Sequence, residues 1–248
     1  MKDRTQLQCL LVQAREDVVT LEEELCEFTF FGGIAPSQCT VLNIFETPEY
    51  QPEMVDAFDC VFVGGSSSEG EDLLEWKKPY VLHLGALLVR AYQERIPTFA
   101  SCLGFQASAV ALGGVLIQDK KNMEMGSYPI YTTDEGKKDP LFKTVSDGFL
   151  AISGHAKRVE VLPPHAIHMA YSALCPIHAY KMDDAPFYAT QFHPEVTAHD
   201  LRERLARYKA IYLDGDDEFE RIAKETQETP EANSLIGTFV DIVVAHYV

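Results

Sequence analysis

The sequence lacks the features that mark a secreted, membrane-spanning or disulfide-stapled protein. None of its 248 residues lies in an apolar run long enough to cross a bilayer, and the first residues show neither the long apolar stretch nor the small-residue cleavage site of a signal peptide. The six cysteines are scattered and never form a Cys-x-x-Cys pair, which argues against a disulfide framework and against a zinc knuckle. We therefore expect a cytoplasmic protein that has no membrane partner.

Basic residues are also scarce. Lys and Arg number 21 against 38 Asp and Glu, so the formal net charge is −17. A field of this sign repels phosphate backbones and anionic lipid, and we expect no nucleic-acid partner. The hydrophobic fraction of 46% is nevertheless ordinary for a globular protein, which excludes disorder over most of the length.

The first part of the chain alternates between strand-like and helix-like segments. Such alternation implies right-handed crossovers and a parallel sheet with helices on both faces. Predicted strands cover residues 7–14, 40–45, 58–63 and 97–101, and predicted helices cover 17–30, 72–94 and 103–112.

The remainder of the chain changes character. Between residues 114 and 193, several β-rich pieces, RVEVLP (158–163) among them, are separated by Pro, Gly and Asp turns, which predicts a largely antiparallel continuation of the same sheet, alone or with a hairpin layer. Helical periodicity then returns in a C-terminal tail, over residues 198–212, 217–225 and 231–245.

These patterns predict an α/β fold with a mostly parallel central sheet, an antiparallel extension and a helical C-terminal tail. No repeats and no low-complexity linker interrupt the sequence. We expect one domain over residues 1–248, with a core of about 6–197 and a helical extension of about 198–248.

A candidate nucleophile lies where the strand 97–101 meets the helix that follows it. Ala100 and Gly104, two positions before and after Cys102, are small enough for a sharp strand-to-helix turn that holds the thiol out at the edge of the sheet. A helix that starts just after Cys102 brings the positive end of its dipole to the thiol, and the N–H of Leu103 would point into the same site as an oxyanion donor. The alternative interpretation is a buried cysteine that ends a core strand.

A candidate base lies in the segment Gln191-Phe192-His193-Pro194-Glu195. The proline favours extended geometry at His193, and residues two apart in an extended segment share a face, so Glu195 can lie beside the imidazole. A carboxylate there orients the ring and stabilises its protonated form, completing a nucleophile, base and orienter with Cys102. Taken alone, the same tripeptide would also fit a strand-to-helix turn.

Together, FASCLGFQ (99–106) and ATQFHPE (189–195) resemble the class I, or triad, glutamine amidotransferases. The glutaminase domains of that family carry Gly-x-Cys-x-Gly-His-Gln and Gln-Phe-His-Pro-Glu. The resemblance spans about Gln6–Val196, includes VFVGGSSS, MEMGSYPI and SGHAKRVEVLPP, and is strongest in pattern to the glutaminase halves of GMP synthases. It implies a flavodoxin-like fold.

The resemblance also implies a role for individual residues, and it implies that no metal or organic cofactor takes part. The roles are catalytic for Cys102, His193 and Glu195, oxyanion-stabilising for Gly65 and Leu103, and substrate-binding for Gly64 and Gln106.

Two further patterns bear on the site. Ser66 and Phe105 stand where the family has Pro and His, but neither is a triad position. His165, His168 and His178 would suggest a metal site, yet no Cys or carboxylate stands at ligand spacing from them, so we interpret them as polar structural histidines.

Three interpretations of function stay open. The resemblance implies hydrolysis of the side-chain amide of L-glutamine through a γ-glutamyl thioester on Cys102, with ammonia released to a separately encoded synthetase. A stand-alone hydrolase or peptidase of γ-glutamyl compounds would need no partner. A non-catalytic binding or regulatory protein is the third, and the intact Cys102, His193 and Glu195 argue against it. The C-terminal tail would dock a partner, form a homo-oligomer or cover the sheet.

Overall fold

The computed structural model describes residues 2–66, 79–212 and 215–247. Within them the strands are β1 (Cys9–Ala14), β2 (Cys39–Asn43), β3 (Cys60–Ser66), β4 (Thr98–Ser101), β5 (Val115–Gln118), β6 (Glu124–Thr132), β7 (Phe149–His155), β8 (Lys157–Val161), β9 (Ala166–Tyr171), β10 (Ala179–Met182) and β11 (Phe187–Thr190). The helices are α1 (Val18–Gly32), α2 (Pro79–Gln93), α3 (Leu103–Ala111), α4 (Ala198–Tyr212), α5 (Asp216–Glu225) and α6 (Pro230–Thr238), which continues through a π-helical segment (Phe239–Val244) into a last turn (Ala245–Tyr247).

Nine of these strands form one sheet in the order β2-β1-β3-β4-β11-β10-β9-β6-β7. Neighbouring strands are parallel from β2 to β11. They are antiparallel from β11 to β7. The predicted fold class, a parallel α/β core with an antiparallel extension and a helical tail, is therefore confirmed.

The central strand β1 shows why helices cover both faces of the sheet. All six of its residues are buried, and successive side chains of a strand point to opposite faces. Leu10 and Val12 join the apolar core that contains residues of α2 and α3. Leu11 joins a second core with Phe28 of α1 and Leu235 of α6. The C-terminal helix is thus part of the covering layer on one face.

The first helix is delimited by ordinary capping residues. The Asp17 side chain accepts a hydrogen bond from the backbone N–H of Thr20 at 2.8 Å, and Gly33 ends the helix in the left-handed conformation at φ 61°. The packing of α1 on the sheet turns Glu24 towards it, where the side chain is fully buried.

The antiparallel part of the chain also contains a separate two-stranded layer, as the alternative of a hairpin layer allows. The piece RVEVLP forms β8, which leaves the main sheet and pairs with β5, a strand that the sequence pattern does not predict. β5 has no buried residue, so its sequence shows no core-facing alternation from which a strand is recognised. β8 does alternate, with Lys157 and Val159 buried on either side of Arg158.

Part of the predicted helix 72–94 is seen as α2, Pro79–Gln93, while residues 72–78 lie outside the described residues, as do Ser67 and Ser68. In the described part of the chain, no helix combines the length and the apolar character that a bilayer crossing requires.

Candidate active site

Cys102 occupies a strained turn between β4 and α3. Its backbone has φ 46° and ψ −94°, a conformation that residues with a side chain rarely adopt. The Cys102 N–H donates to the carbonyl of Thr190 at 2.8 Å, which ties the turn to β11. Gly104 is required after it, because a Cβ there would lie 2.8 Å from the Cβ of Val63 and 2.9 Å from that of Ala100.

His193 and Glu195 follow the neighbouring strand and meet at the same sheet edge. Thr190 pairs with Ser101 at the ends of β11 and β4. The Nδ1 of His193 lies 2.6 Å from Oε1 of Glu195, and the same oxygen accepts from the hydroxyl of Ser101 at 3.0 Å. The Glu195 side chain is fully buried. One carboxylate therefore links the imidazole to the residue that precedes Cys102.

Charges within this group offset the effect of burial. Burial alone would lower the pKa of His193, but the Glu195 carboxylate and the Cys102 side chain outweigh it and raise the pKa to about 10. Burial would raise the pKa of Glu195, and the nearby His193 holds it below its usual value. At neutral pH the pair is therefore an imidazolium and a carboxylate.

The site opens into a cavity of about 230 Å³ beside α4. Its polar lining includes Arg15, Cys102, Gln106, His155 and His193, and its apolar lining includes Leu103, Met123, Met125, Ile152, Val196, Leu201 and Leu205. A cavity with mostly apolar walls and a few convergent polar groups is typical of a site for a small molecule.

Of the predicted substrate and oxyanion residues, Leu103 and Gln106 line this cavity, whereas Gly64 and Gly65 are not among the described residues that line it. Leu103 is the first residue of α3, so its N–H has no acceptor within the helix. The Gln106 amide donates to Oε1 of Gln191 at 3.0 Å, and the Gln191 amide nitrogen lies 3.8 Å from the Cys102 sulfur. Gln106 therefore reaches the nucleophile through Gln191, a residue to which the motif assigned no role.

The Gly64-Gly65 segment, for which the family resemblance implies an oxyanion donor, contacts a buried carboxylate. The N–H of Gly65, predicted to stabilise an oxyanion, donates to Oε1 of Glu24 at 3.2 Å. The same carboxylate oxygen lies 2.5 Å from Nη2 of Arg15, and it fills the space into which a Cβ at Gly64 would project. Arg15 and Glu24 thus belong to the site, and no local motif in the sequence signals either of them.

The C-terminal helix also reaches the site. The side-chain amide of Asn233, in α6, donates to the carbonyl oxygens of Pro194 at 2.7 Å and Val196 at 3.1 Å. These two carbonyls flank Glu195. The tail therefore fixes the backbone that carries the carboxylate, in addition to covering the sheet.

A second buried polar cluster lies beside the cavity. Ligand atoms of His155, Cys175 and His178 lie within 4.8 Å of one another, so Cys175 does stand at ligand spacing from His178, contrary to the sequence argument. Both imidazoles face Oε2 of Glu124, at 3.0 Å for His155 and 2.6 Å for His178. His165 and His168 are not part of this group. The hydrogen bonds to the Glu124 carboxylate account for the positions of the two imidazoles.

Comparisons with known proteins cover most of the chain. Residues 38–212, which contain Cys102, His193 and Glu195, match the model of a family described as glutamine amidotransferase class-I. A protein of Methanosarcina barkeri, named as one of the subunits of a glutamine-hydrolyzing GMP synthase, is 33% identical over 110 residues, which are 44% of this chain and 56% of that protein. The protein of the same name from Pyrococcus abyssi is 28% identical over 162 residues, 65% of this chain and 78% of that protein. The match thus spans little more than half the length of the first relative.

Solved structures with the same fold have low sequence identity. A glutamine amidotransferase from Thermotoga maritima superposes with a TM-score of 0.74 at 18% identity, covering 96% of this chain and 98% of that one. A glutamine amidotransferase from Methylobacillus flagellatus gives a TM-score of 0.70 at 19% identity, covering 98% and 94%.

Proposed function

The chain belongs to the class I glutamine amidotransferase family, and on that premise we propose that it hydrolyses the side-chain amide of L-glutamine to glutamate and ammonia. The observation that carries the proposal is the strained Cys102 turn, with His193 held beside it by a carboxylate at 2.6 Å. A nucleophile, a base and an orienter in this order are the parts that acyl transfer requires.

The reaction proceeds in two halves. The Cys102 thiolate adds to the amide carbon of glutamine, and the carbonyl oxygen becomes an oxyanion that the Leu103 N–H stabilises. The imidazolium of His193 gives its proton to the departing nitrogen as the carbon–nitrogen bond breaks, which leaves a γ-glutamyl thioester and free ammonia. Neutral His193 then takes a proton from water, the hydroxide attacks the thioester, and glutamate leaves as the thiolate and imidazolium are restored.

Glu195 acts throughout as the orienting group. Because its Oε1 holds Nδ1 of His193, the other ring nitrogen is left for proton transfer between sulfur, substrate and water. The carboxylate also favours the protonated ring, which is the state that donates to the leaving ammonia.

We further propose that the ammonia is used by a separately encoded synthetase. The support is that relatives such as the Methanosarcina barkeri and Pyrococcus abyssi proteins are named as subunits of a glutamine-hydrolyzing GMP synthase. Ammonia release that increases when the synthetase and its substrates are added would support this assignment. Fast release by the isolated chain, indifferent to the added synthetase, would instead indicate a free-standing γ-glutamyl hydrolase.

The primary test is labelling of the intact protein by a glutamine-like electrophile, because a glutaminase that serves a synthetase can be nearly silent alone. We expect one adduct, on Cys102, that excess L-glutamine suppresses. The Cys102→Ala variant should give no adduct and no glutamate release, while Cys26→Ala, which removes an exposed cysteine, should behave as wild type. Labelling spread over several cysteines and unaffected by glutamine would contradict the proposal.

A further inference from the structure

One of the two expected oxyanion donors is already hydrogen-bonded in this chain. The Gly65 N–H donates to the buried carboxylate of Glu24 at 3.2 Å. An oxyanion at that N–H would meet the like charge of the carboxylate, which opposes its formation. In the reaction proposed above, a second oxyanion donor beside the Leu103 N–H therefore has to come from a group other than this backbone N–H.

Arg15 is placed to supply that charge. The guanidinium lines the same cavity as Cys102 and His193. Its Nη2 lies 3.1 Å, and the Cε1 of His193 2.8 Å, from the point that a Cβ on Gly65 would occupy. The guanidinium and the imidazole therefore lie side by side at the edge of the nucleophile's cavity.

The Arg15–Glu24 pair is oriented with its positive end towards the cavity. Arg15 is among the lining residues, whereas Glu24 is fully buried behind Gly64 and Gly65 and takes no part in the lining formed by the described residues. The guanidinium uses Nη2 to bind Glu24. Its Nε is buried and has no hydrogen-bond partner in the described ranges 2–66, 79–212 and 215–247. An arginine has five N–H donors and is always charged, so this cation retains donors for a ligand.

We propose that Arg15 is a catalytic residue that stabilises the tetrahedral oxyanion together with the Leu103 N–H, and that Glu24 is the positioning residue that holds the guanidinium. This inference rests on the proposed glutaminase reaction. The guanidinium donates to the oxygen when the Cys102 sulfur adds to the carbonyl carbon, and it releases the oxygen when the thioester forms. No proton leaves Arg15 in either step.

The test compares two reactions of the Cys102 thiol, only one of which forms an oxyanion. Acylation by γ-glutamyl p-nitroanilide, followed in a single turnover by nitroaniline release, passes through a tetrahedral oxyanion. Alkylation by iodoacetamide is a direct displacement and does not. In Arg15→Gln we expect acylation to slow about 100-fold, the scale of losing one oxyanion donor, while alkylation stays within threefold. Arg15→Lys should recover part of the acylation rate.

A second variant separates catalysis from folding. Arg15→Gln leaves Glu24 buried without its cation, which destabilises the fold. The double variant Arg15→Gln/Glu24→Gln removes both charges and should melt near the wild-type temperature, yet it should acylate as slowly as Arg15→Gln. Arg90→Gln, which removes an arginine that pairs with Asp56 at the surface and is not among the described residues lining the cavity, is the matched control and should acylate at the wild-type rate.

The possible results distinguish the ways in which the role inferred for Arg15 could be wrong. Wild-type acylation by the double variant would show that Arg15 only neutralises Glu24, and equal slowing of acylation and alkylation would show that it acts on the thiol; either result overturns the inference. A loss confined to KM for glutamine would show that Arg15 binds the substrate carboxylate, and would overturn it as well. A wild-type protein that is alkylated but never acylated would refute the glutaminase proposal itself.

Discussion

Replacing Gly65 by Ala tests how closely the described geometry sets the reaction rate. Gly65 has no positive φ, so its backbone admits alanine. The added Cβ would lie 2.8 Å from Cε1 of His193, and ordinary contact begins at 3.4 Å, so the ring must move by about 0.6 Å. Glu195 holds the neighbouring ring atom, Nδ1, at 2.6 Å and resists that movement.

A shift of this size is large on the scale of catalysis. Misplacement of a catalytic group by about 1 Å costs on the order of 100-fold in rate, so we expect Gly65→Ala to lower kcat roughly tenfold. KM should stay within twofold, and overpacking should lower the free energy of unfolding by about 1–2 kcal/mol. The assay is initial-rate glutamate release, with the synthetase partner if one is required, and urea unfolding of the same samples.

Gly32→Ala is the control for this substitution. A Cβ at Gly32 would meet side-chain atoms of Ile34 and Ile236 at 3.5 Å and 3.7 Å, which are ordinary contacts. We expect its kcat to equal that of wild type and its stability to rise by up to about 1 kcal/mol. A Gly65→Ala enzyme with kcat within twofold of wild type would refute the argument, because the His193 ring would then have room that the structure does not show.

Three other substitutions test the carboxylate that orients His193, the close packing at Gly104 and the buried carboxylate of Glu124. Glu195→Gln should lower kcat on the order of 1,000-fold; because Glu195 raises the pKa of His193, the alkaline limb of the activity profile should move to lower pH, and an unmoved limb would contradict this. Gly104→Ala should cost about 1–3 kcal/mol in urea unfolding, since its Cβ would collide with the Cβ atoms of two strands. Burial would raise the pKa of Glu124, but His155 and His178 hold it well below its ordinary value of 4.5. Glu124→Gln should therefore cost about 3 kcal/mol at pH 7 and progressively less below pH 4.5, and a cost that is the same at pH 7 and pH 4 would refute the ionised Glu124 carboxylate.

The candidate site could be predicted where short motifs carry it. Small residues around Cys102 and the proline after His193 specify local backbone shapes, and both segments end strands that prove to be neighbours in the sheet. The pairing of β4 with β11 follows from the family resemblance, since spacing along the chain does not determine which strands meet. Parallel strands place both groups at one edge.

The Arg15–Glu24 pair could not be predicted in the same way. Three consecutive glutamates, Glu22, Glu23 and Glu24, stand in α1, and only the packing of that helix decides which one is buried. The hydrogen bond from Gly65 to Glu24 spans 41 positions and joins a helix to the end of β3. A sequence motif describes the glycine but contains no information about a partner that arrives from another element.

The short strand β5 escapes prediction for a different reason. None of its four residues is buried, so its sequence shows no core-facing alternation, and the pattern of β8 alone does not say that β5 is its partner.

Because Asn233 donates hydrogen bonds to the carbonyls beside Glu195, the active site is completed only after the helix that carries Asn233 has been synthesised. During synthesis Cys102, His193 and Glu195 all emerge before Asn233, so a nascent chain can hold every reacting group and still lack the contact that fixes the Glu195 segment. Until α6 docks, the backbone on either side of Glu195 lacks these two donors, so the carboxylate that orients His193 is the last of the three groups to be fixed.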